Sequence, residues 1–282
     1  MVAILCQGGL GNQLFTLNAA HLLSTTYASK VSITFDSPQR RTDRPVEIED
    51  LVNDFFPNLQ IKTSHTLFKA SDILDRINGR IGLNFDDTFL KSLILDSRRL
   101  DAGVVLSRKP PKVVRGYFQN SEQVLEVFPN YSEQFNLYLE SIKIDIELPK
   151  KYQAFHIRRG DYVLHRDSLG ELLPEFYLNS REESLPLVIS TDDVNFLKEI
   201  RNTFPEAILI GPKEASVWQS FKILCQAANL TIANSTFSWW AGVLAESNGS
   251  QVVRPKRWNK VETLRSNYLH HPKFIEMESF FA

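Results

Sequence analysis

At 282 residues the chain is long for one small domain and fits two of roughly 130 to 150 residues, each able to bury its own core. With 43% apolar and 23% charged residues, 12 Gly and 13 Pro, its composition excludes disorder, collagen-like repeats and low-complexity linkers. Lys and Arg number 32 against 33 Asp and Glu, for a formal net charge of −1, so nothing global favours nucleic acid or an anionic membrane and any basic site is local.

The chain begins MVAILCQGG, an apolar strand with no charged n-region or cleavage pattern before it, which reads as a mature, unprocessed start. No apolar run reaches the roughly 18 residues of a spanning helix, so the expectation is a protein with no transmembrane segment and at most peripheral membrane contact. Cys6 and Cys225 each sit in apolar context and far apart, as buried thiols in a reducing compartment do; a cytoplasmic location follows. The four N-x-[ST] sequons at Asn130, Asn229, Asn234 and Asn248 are a pattern common by chance.

In the first half, a strand at 2–6 leads through GGLG into a helix opening near Asn12, and VSITF at 31–35 forms the next strand. IEDLVNDFF and LFKASDILDRI have helical spacing, and the prolines of KPPK exclude helix. VVRGYF reads as a strand, SEQVLEVF as a helix with Ser121 as N-cap, and IDIELPKK at 144–151 as the hinge between an N-terminal lobe, 1–149, and a C-terminal lobe, 150–282. The second half alternates cleanly. A strand at 153–158 and a polar loop precede helix 175–183; then come LPLVIST, helix 193–203, AILIG, helix 214–228, LTIAN, helix 237–247 and QVVRP. Strands separated by helices of 10 to 15 residues build a parallel, Rossmann-like sheet with right-handed crossovers.

Polar motifs fall at the strand ends of that lobe: HIRRGDY after its first strand, STDD after its second, NSTFSWW after its fourth. Open α/β sheets bind ligands at this carboxyl edge. Arginine is permanently charged and offers a planar fork that matches phosphate oxygens, so Arg158 and Arg159 suit a diphosphate. Strand alternation directs them to opposite sides, one to the ligand and the other to a structural carboxylate such as Asp161. NSTFSWW places hydroxyls where a helix starts, and a helix N-terminus attracts anions. GGLGN lets backbone amides approach a ligand, yet it is neither G-x-G-x-x-G nor a phosphate-binding loop ending in G-K-[ST].

Taken singly, each motif has an ordinary explanation. HIRRGDY is also a solvated strand end with local ion pairs, NSTFSWW a capping segment with core aromatics, GGLGN a turn and STDD an N-capped helix start. Three clusters at one sheet edge favour a single site for an anionic ligand.

GGLGNQLF, GYFQ, HIRRGDY, STDD, IANSTFSWWAGVLAE and RPKRW, in this order over most of the chain, resemble the α-1,2-fucosyltransferases of glycosyltransferase family 11. HxRRGDY with a downstream NSxFSWW is specific to that family, whereas GGxGNQ and TDD are shared more loosely with other fucosyltransferases. The resemblance implies an α/β fold of GT-B type, two Rossmann-like lobes with parallel sheets facing across a cleft. It also implies a GDP-fucose donor and a galactose-terminated glycan acceptor. Position by position, it places His156 and Arg158 on the donor, with Arg158 on the β-phosphate, and one or both of Asp192 and Asp193 on the guanine edge. Asn234, Ser235, Thr236, Phe237 and Ser238 line diphosphate and base, while Gly9, Gly11, Asn12 and Gln13 approach phosphates and fucose from the other lobe. Two departures stand out: Trp240 is followed by Ala241, Gly242 and Val243, and VLHRDSLGELLPEFY after Tyr162 resembles the family only at its edges.

Glycosyl transfer builds negative charge on the departing diphosphate, so fixed cations and amides aimed there favour the transition state. The sequence has no D-x-D and no tight His or Cys cluster, which predicts a metal-independent reaction with no cofactor beyond the co-substrate; with the β-linked donor that the resemblance implies, a single displacement is inverting and gives an α-linked product. Asp161, Asp167 and Glu171 are candidates for the base that takes the acceptor proton. Rival expectations are a non-catalytic nucleotide-binding lobe, a module presenting the embedded RGD, and a fucosyltransferase of another linkage; NSTFSWW weighs against the last.

Overall fold

In the computed structural model the described residues are 1–36, 45–70, 94–97, 103, 104, 106, 108–261 and 269–282. Contacts divide the chain into two compact units, Met1–Tyr138 and Leu139–Ala282. The segment 144–151 therefore lies inside the second unit. There the preceding residues are tied to a helix of that unit, because Lys222 Nζ donates to the Ile142 carbonyl at 2.7 Å and Gln219 Nε2 to the Lys143 carbonyl at 2.9 Å.

The first unit is built on a five-stranded sheet of β1 (Val2–Leu5), β2 (Val31–Phe35), β3 (Leu59–Thr63), β4 (Ile94–Ser97) and β5 (Val113–Gly116). The order is β3-β2-β1-β5-β4 and every pairing is parallel, with Ile4 opposite both Ile33 and Val114. Between β1 and β2 runs α1 (Leu10–Thr26), whose Leu14, Phe15 and Leu17 are wholly buried. Roughly 1.5–3 kcal/mol accrues for each such side chain taken out of water. The helix α2 (Glu49–Phe55) fulfils the spacing of IEDLVNDFF, and residues 65–70 begin the helix expected from LFKASDILDRI, whose remainder lies outside the described residues.

After β5 comes α3 (Ser121–Val127), capped not by Ser121 but by Asn120. Asn120 has extended backbone and its side-chain oxygen accepts from the Gln123 N–H at 2.8 Å, whereas Ser121 is already the first helical residue. The helix α4 (Ser132–Ser141) spans the division between units.

The second unit carries β6 (Gln153–Ile157), α5 (Pro174–Asn179), β7 (Leu187–Thr191), α6 (Leu197–Thr203), β8 (Ile208–Ile210), α7 (Val217–Cys225), β9 (Asn229–Thr231), α8 (Thr236–Ser247), β10 (Gln251–Pro255) and β11 (Ile275–Met277). Its sheet, again all parallel, runs β11-β10-β9-β6-β7-β8. Every residue of β6 and β7 is buried, as strands covered on both faces are. Phe155, Phe176, Tyr177, Ile189 and Ile200 form the core on one side. Helix α8 lies against the other elements closely enough that a methyl group on Gly242 would press on Phe274 Cζ at 2.9 Å. Two Rossmann-like α/β units, as in GT-B proteins, are thus present.

Candidate functional site

Strand order reverses between β6 and β9 in the second sheet, so the carboxyl ends of β9, β6 and β7 lie side by side. Doubly wound sheets bind ligands in the crevice at such a reversal. HIRRGDY, STDD and ANSTF leave the sheet at these three ends.

Beyond β6, Arg158 pairs through Nη1 with Asp192 Oδ2, and its guanidinium carbon lies 5.4 Å from the Tyr162 ring centre. The other oxygen of Asp192 accepts from the backbone N–H groups of Arg159, at 2.9 Å, and Gly160, at 3.2 Å. One carboxylate therefore holds both the turn and its first arginine. A side chain at Gly160 would collide with Asp192 Oδ2, which is why the turn needs glycine.

Arg159, which like Arg158 lies beyond the end of β6, faces elsewhere. It pairs with Glu171 through Nη1 and with Asp193 through Nε at 3.2 Å, and it lies over the Phe196 ring at 3.8 Å. The structural carboxylates of Arg159 are thus Glu171 and Asp193; the side chain of Asp161, expected in that role, is not among those described. Asp193 also caps the turn Val194–Phe196, accepting from Asn195 N–H at 2.9 Å. Both acids expected at a guanine edge are engaged within the protein. An RGD whose arginine is held by two carboxylates is no adhesive arm.

His156, in mid-strand, is 3% exposed and packs against Phe237 at 5.1 Å between ring centres. Burial pushes its pKa down to about 4, with the nearby Asp192 opposing and Arg158 reinforcing the shift, so the imidazole is neutral near pH 7. Its Nδ1 is buried without a hydrogen-bond partner.

Asn234 is 1% exposed and ties the loop before α5 to this edge: its Nδ2 donates to the carbonyls of Leu169 and Gly170, each at 3.1 Å, and its own carbonyl accepts from Tyr162 Oη at 2.7 Å. Ser235 is the N-cap of α8, but its side chain makes no capping bond. The amino end of α8, with Ser235, Thr236 and half-buried Phe237, is the anion-attracting end of a twelve-residue helix. Ser238 turns inward instead, fully buried and donating to the Ala233 and Ser235 carbonyls.

In the first unit the GGLGN residues divide. Gly9 is the N-cap of α1, and Gly11 lies buried within the helix. Gln13 is 0% exposed and fully engaged, donating to the Gly8 and Pro45 carbonyls and accepting from Glu47 N–H. Asn12 accepts from Gln119 Nε2 at 2.9 Å, and Gly8, at φ +89°, leaves room for the Asn12 side chain. Gln119 belongs to GYFQ, where Phe118 holds a left-handed backbone, φ +54°.

Of the base candidates, Asp167 is exposed, while Glu171 is 6% exposed and held by both Arg159 and Arg166. Tyr162, Phe196 and the double pairing of Glu171 were not assigned from sequence; the only signal was their closeness to HIRRGDY and STDD. A concavity of about 970 Å³ lies at the opposite, amino edge of the sheet, among Tyr152, Asn229 and Gln251, and holds none of the motif residues. Among the described residues no group of three or more His, Cys, Asp or Glu side chains converges as metal ligands, and no helix is long and apolar enough to cross a membrane.

The family described as Glycosyl transferase family 11 is matched by residues 107–276. The chain is similar to an alpha-1,2-colitosyltransferase of Escherichia coli, 25% identical over 290 residues that cover 96% of this chain and 97% of the relative. It is also similar to a galactoside 2-alpha-L-fucosyltransferase of Caenorhabditis elegans, 24% identical, with 88% of this chain and 68% of the relative covered. Among solved structures, the E. coli heptosyltransferase WaaC with ADP matches at a TM-score of 0.53 and 11% identity, covering 98% of this chain and 92% of that one, a likeness of fold alone.

Proposed function

The chain belongs to glycosyltransferase family 11 and is a glycosyltransferase, and we propose that it transfers L-fucose from GDP-β-L-fucose to the 2-hydroxyl of a terminal β-galactoside. The reaction inverts the anomeric centre, uses no metal or cofactor, and serves bacterial surface-glycan synthesis of the O-antigen type from the cytoplasm. The observation that carries this reading is the convergence of Arg158 and the amino end of α8 at the strand-order reversal of the second sheet.

In this proposal Arg158 offers its fork to the β-phosphate, and the first turn of α8, with Ser235 and Thr236, meets the remaining diphosphate charge. His156 contributes a neutral, apolar-packed wall with Phe237, and the Asp192–Asp193 turn stands by the base. Breaking the anomeric C–O bond leaves an electron pair on the β-phosphate oxygen, and cations already in place stabilise that charge without reorganisation. Asp161 or Asp167 takes the proton of the attacking hydroxyl, since Glu171 is committed to two arginines.

Colitose is the second reading of the transferred sugar, favoured by the similarity to the E. coli colitosyltransferase over nearly the whole of both chains. Incubation with GDP-fucose and a panel of galactosides, with product linkage read by NMR, tests the proposal. An α-1,2-fucosylated product is expected. Transfer of colitose from its GDP conjugate with no transfer of fucose would replace the first reading by the second.

A further inference from the structure

The two arginines of HIRRGDY are held differently. Arg158 meets Asp192, which is 25% exposed in its side chain, while Arg159 is enclosed on three sides by Glu171, Asp193 and the Phe196 ring. Glu171 is the most buried of these carboxylates, with 8% side-chain exposure, and it also receives Arg166 Nη2 at 3.1 Å. A buried carboxylate between two cations has little freedom, and removing its charge leaves a buried arginine without its closest counter-charge.

The backbone beneath Glu171 is fastened from several directions. Its carbonyl accepts from the Ala282 N–H at 2.9 Å, Leu173 N–H donates to Phe280 at 2.8 Å, and Leu172 and Phe281 form an antiparallel bridge. Just upstream, the Leu169 carbonyl receives Lys260 N–H at 3.0 Å and Asn234 Nδ2 at 3.1 Å. Gly170, at φ +78°, passes so close to Lys260 Cβ and Phe281 that a side chain there has no room. The carboxylate is thus anchored to three separate stretches of the unit before it reaches Arg159.

We infer that Glu171 is a positioning residue for the donor site: it fixes Arg159, and through Arg159 the turn whose N–H groups share Asp192 with Arg158. The path is continuous. Arg159 Nη1 is on Glu171, Arg159 N–H is on Asp192 Oδ1, and Asp192 Oδ2 is on Arg158. Glu171 therefore acts on the fork without touching the phosphate. This inference rests on the assignment of Arg158 to the diphosphate.

A double-mutant cycle on the full chain, read by calorimetric titration with GDP and by steady-state turnover, tests it. Glu171→Gln is expected to weaken GDP binding about tenfold and to lower kcat further, while Arg159→Met has a similar effect. Combined, the two changes cost less than twofold more than Arg159→Met alone, because Glu171 then has nothing left to position; a role in general folding would give independent, additive losses. Glu171→Asp keeps the charge but draws it back by one methylene, so it preserves the fold if Glu171→Gln does not, and it is expected to weaken GDP binding several-fold with the same non-additivity. Additive losses, or GDP binding and turnover unchanged by both Glu171 variants in a wild-type background that binds GDP, would overturn the inference. No GDP binding by the wild-type chain would instead remove the donor assignment and the inference with it.

Discussion

Replacing Arg158 by lysine separates charge from geometry. The substitution keeps a cation beside Asp192, so the ion pair and the turn survive, and with 15% side-chain exposure there is space for the shorter ammonium. What disappears is the planar, bidentate fork at the end of β6. If that fork meets charge that grows only as the anomeric bond breaks, the loss falls on the transition state. One preorganised donor of this kind is worth roughly 2.7–4 kcal/mol, or about 10²- to 10³-fold in kcat. GDP affinity is expected to fall by about tenfold or less, since the ground-state diphosphate uses the fork less fully. Arg159→Lys, in contrast, retains a cation between Glu171 and Asp193 and is expected to be milder, several-fold in kcat. The assay is turnover of GDP-fucose with a fixed galactoside, beside GDP titrations of the same preparations. A folded Arg158→Lys enzyme with near wild-type kcat would refute the assignment, and unchanged kcat in both lysine variants would refute the phosphate reading of HIRRGDY.

Gly160→Ala forces Asp192 away from the turn, so kcat/KM is expected to drop at least tenfold while the chain stays folded; unaltered kinetics would show that Asp192 does not brace Arg158. Turnover is expected to be indifferent to EDTA, and activity lost to EDTA and restored by magnesium or manganese would contradict the proposed metal independence. Stability is expected to fall on acidification. His156 is neutral in the fold down to about pH 4, whereas in the unfolded chain it takes up a proton below about 6.5; the unfolded state binds the extra proton, so stability declines from pH 6.5 to about 4 by about 3 kcal/mol. Urea denaturation compared at pH 7 and 4.5 measures this, and a His156→Gln chain with an equally steep decline would assign the loss to other groups.

The second unit was readable because its parallel strands are buried on both faces and so appear as largely apolar runs, as in Ala154 to Ile157, broken only by His156, and Leu187 to Ile189. The first unit hid more. LQIKT forms β3 at the sheet edge with only Leu59 buried, a weak alternation between polar residues; in the second unit only IEM, which forms β11 in three residues, carried as little signal. Helix α7 starts at Val217 rather than 214 because Ser216 and Gln219 make a reciprocal capping box, a signal that stood unused in SVWQ. At the site, the residue types are those that suit an anion, and the two adjacent arginines diverge to different carboxylates. The partners were not legible. Glu171 lies twelve residues from Arg159 and reaches it only through the loop fastened to Asn234 and Phe281. Gln13 and Ser238 sit inside motifs, yet the fold turns both inward, where backbone groups need them.

The most direct measurement is transfer of radiolabelled fucose from GDP-fucose to a β-galactoside by the purified chain, with the product's linkage read by NMR. An α-linkage to the galactose 2-hydroxyl is the expected result. A chain that binds GDP yet leaves fucose on its donor across all galactose-terminated acceptors, or links it at another position, would contradict the proposed function.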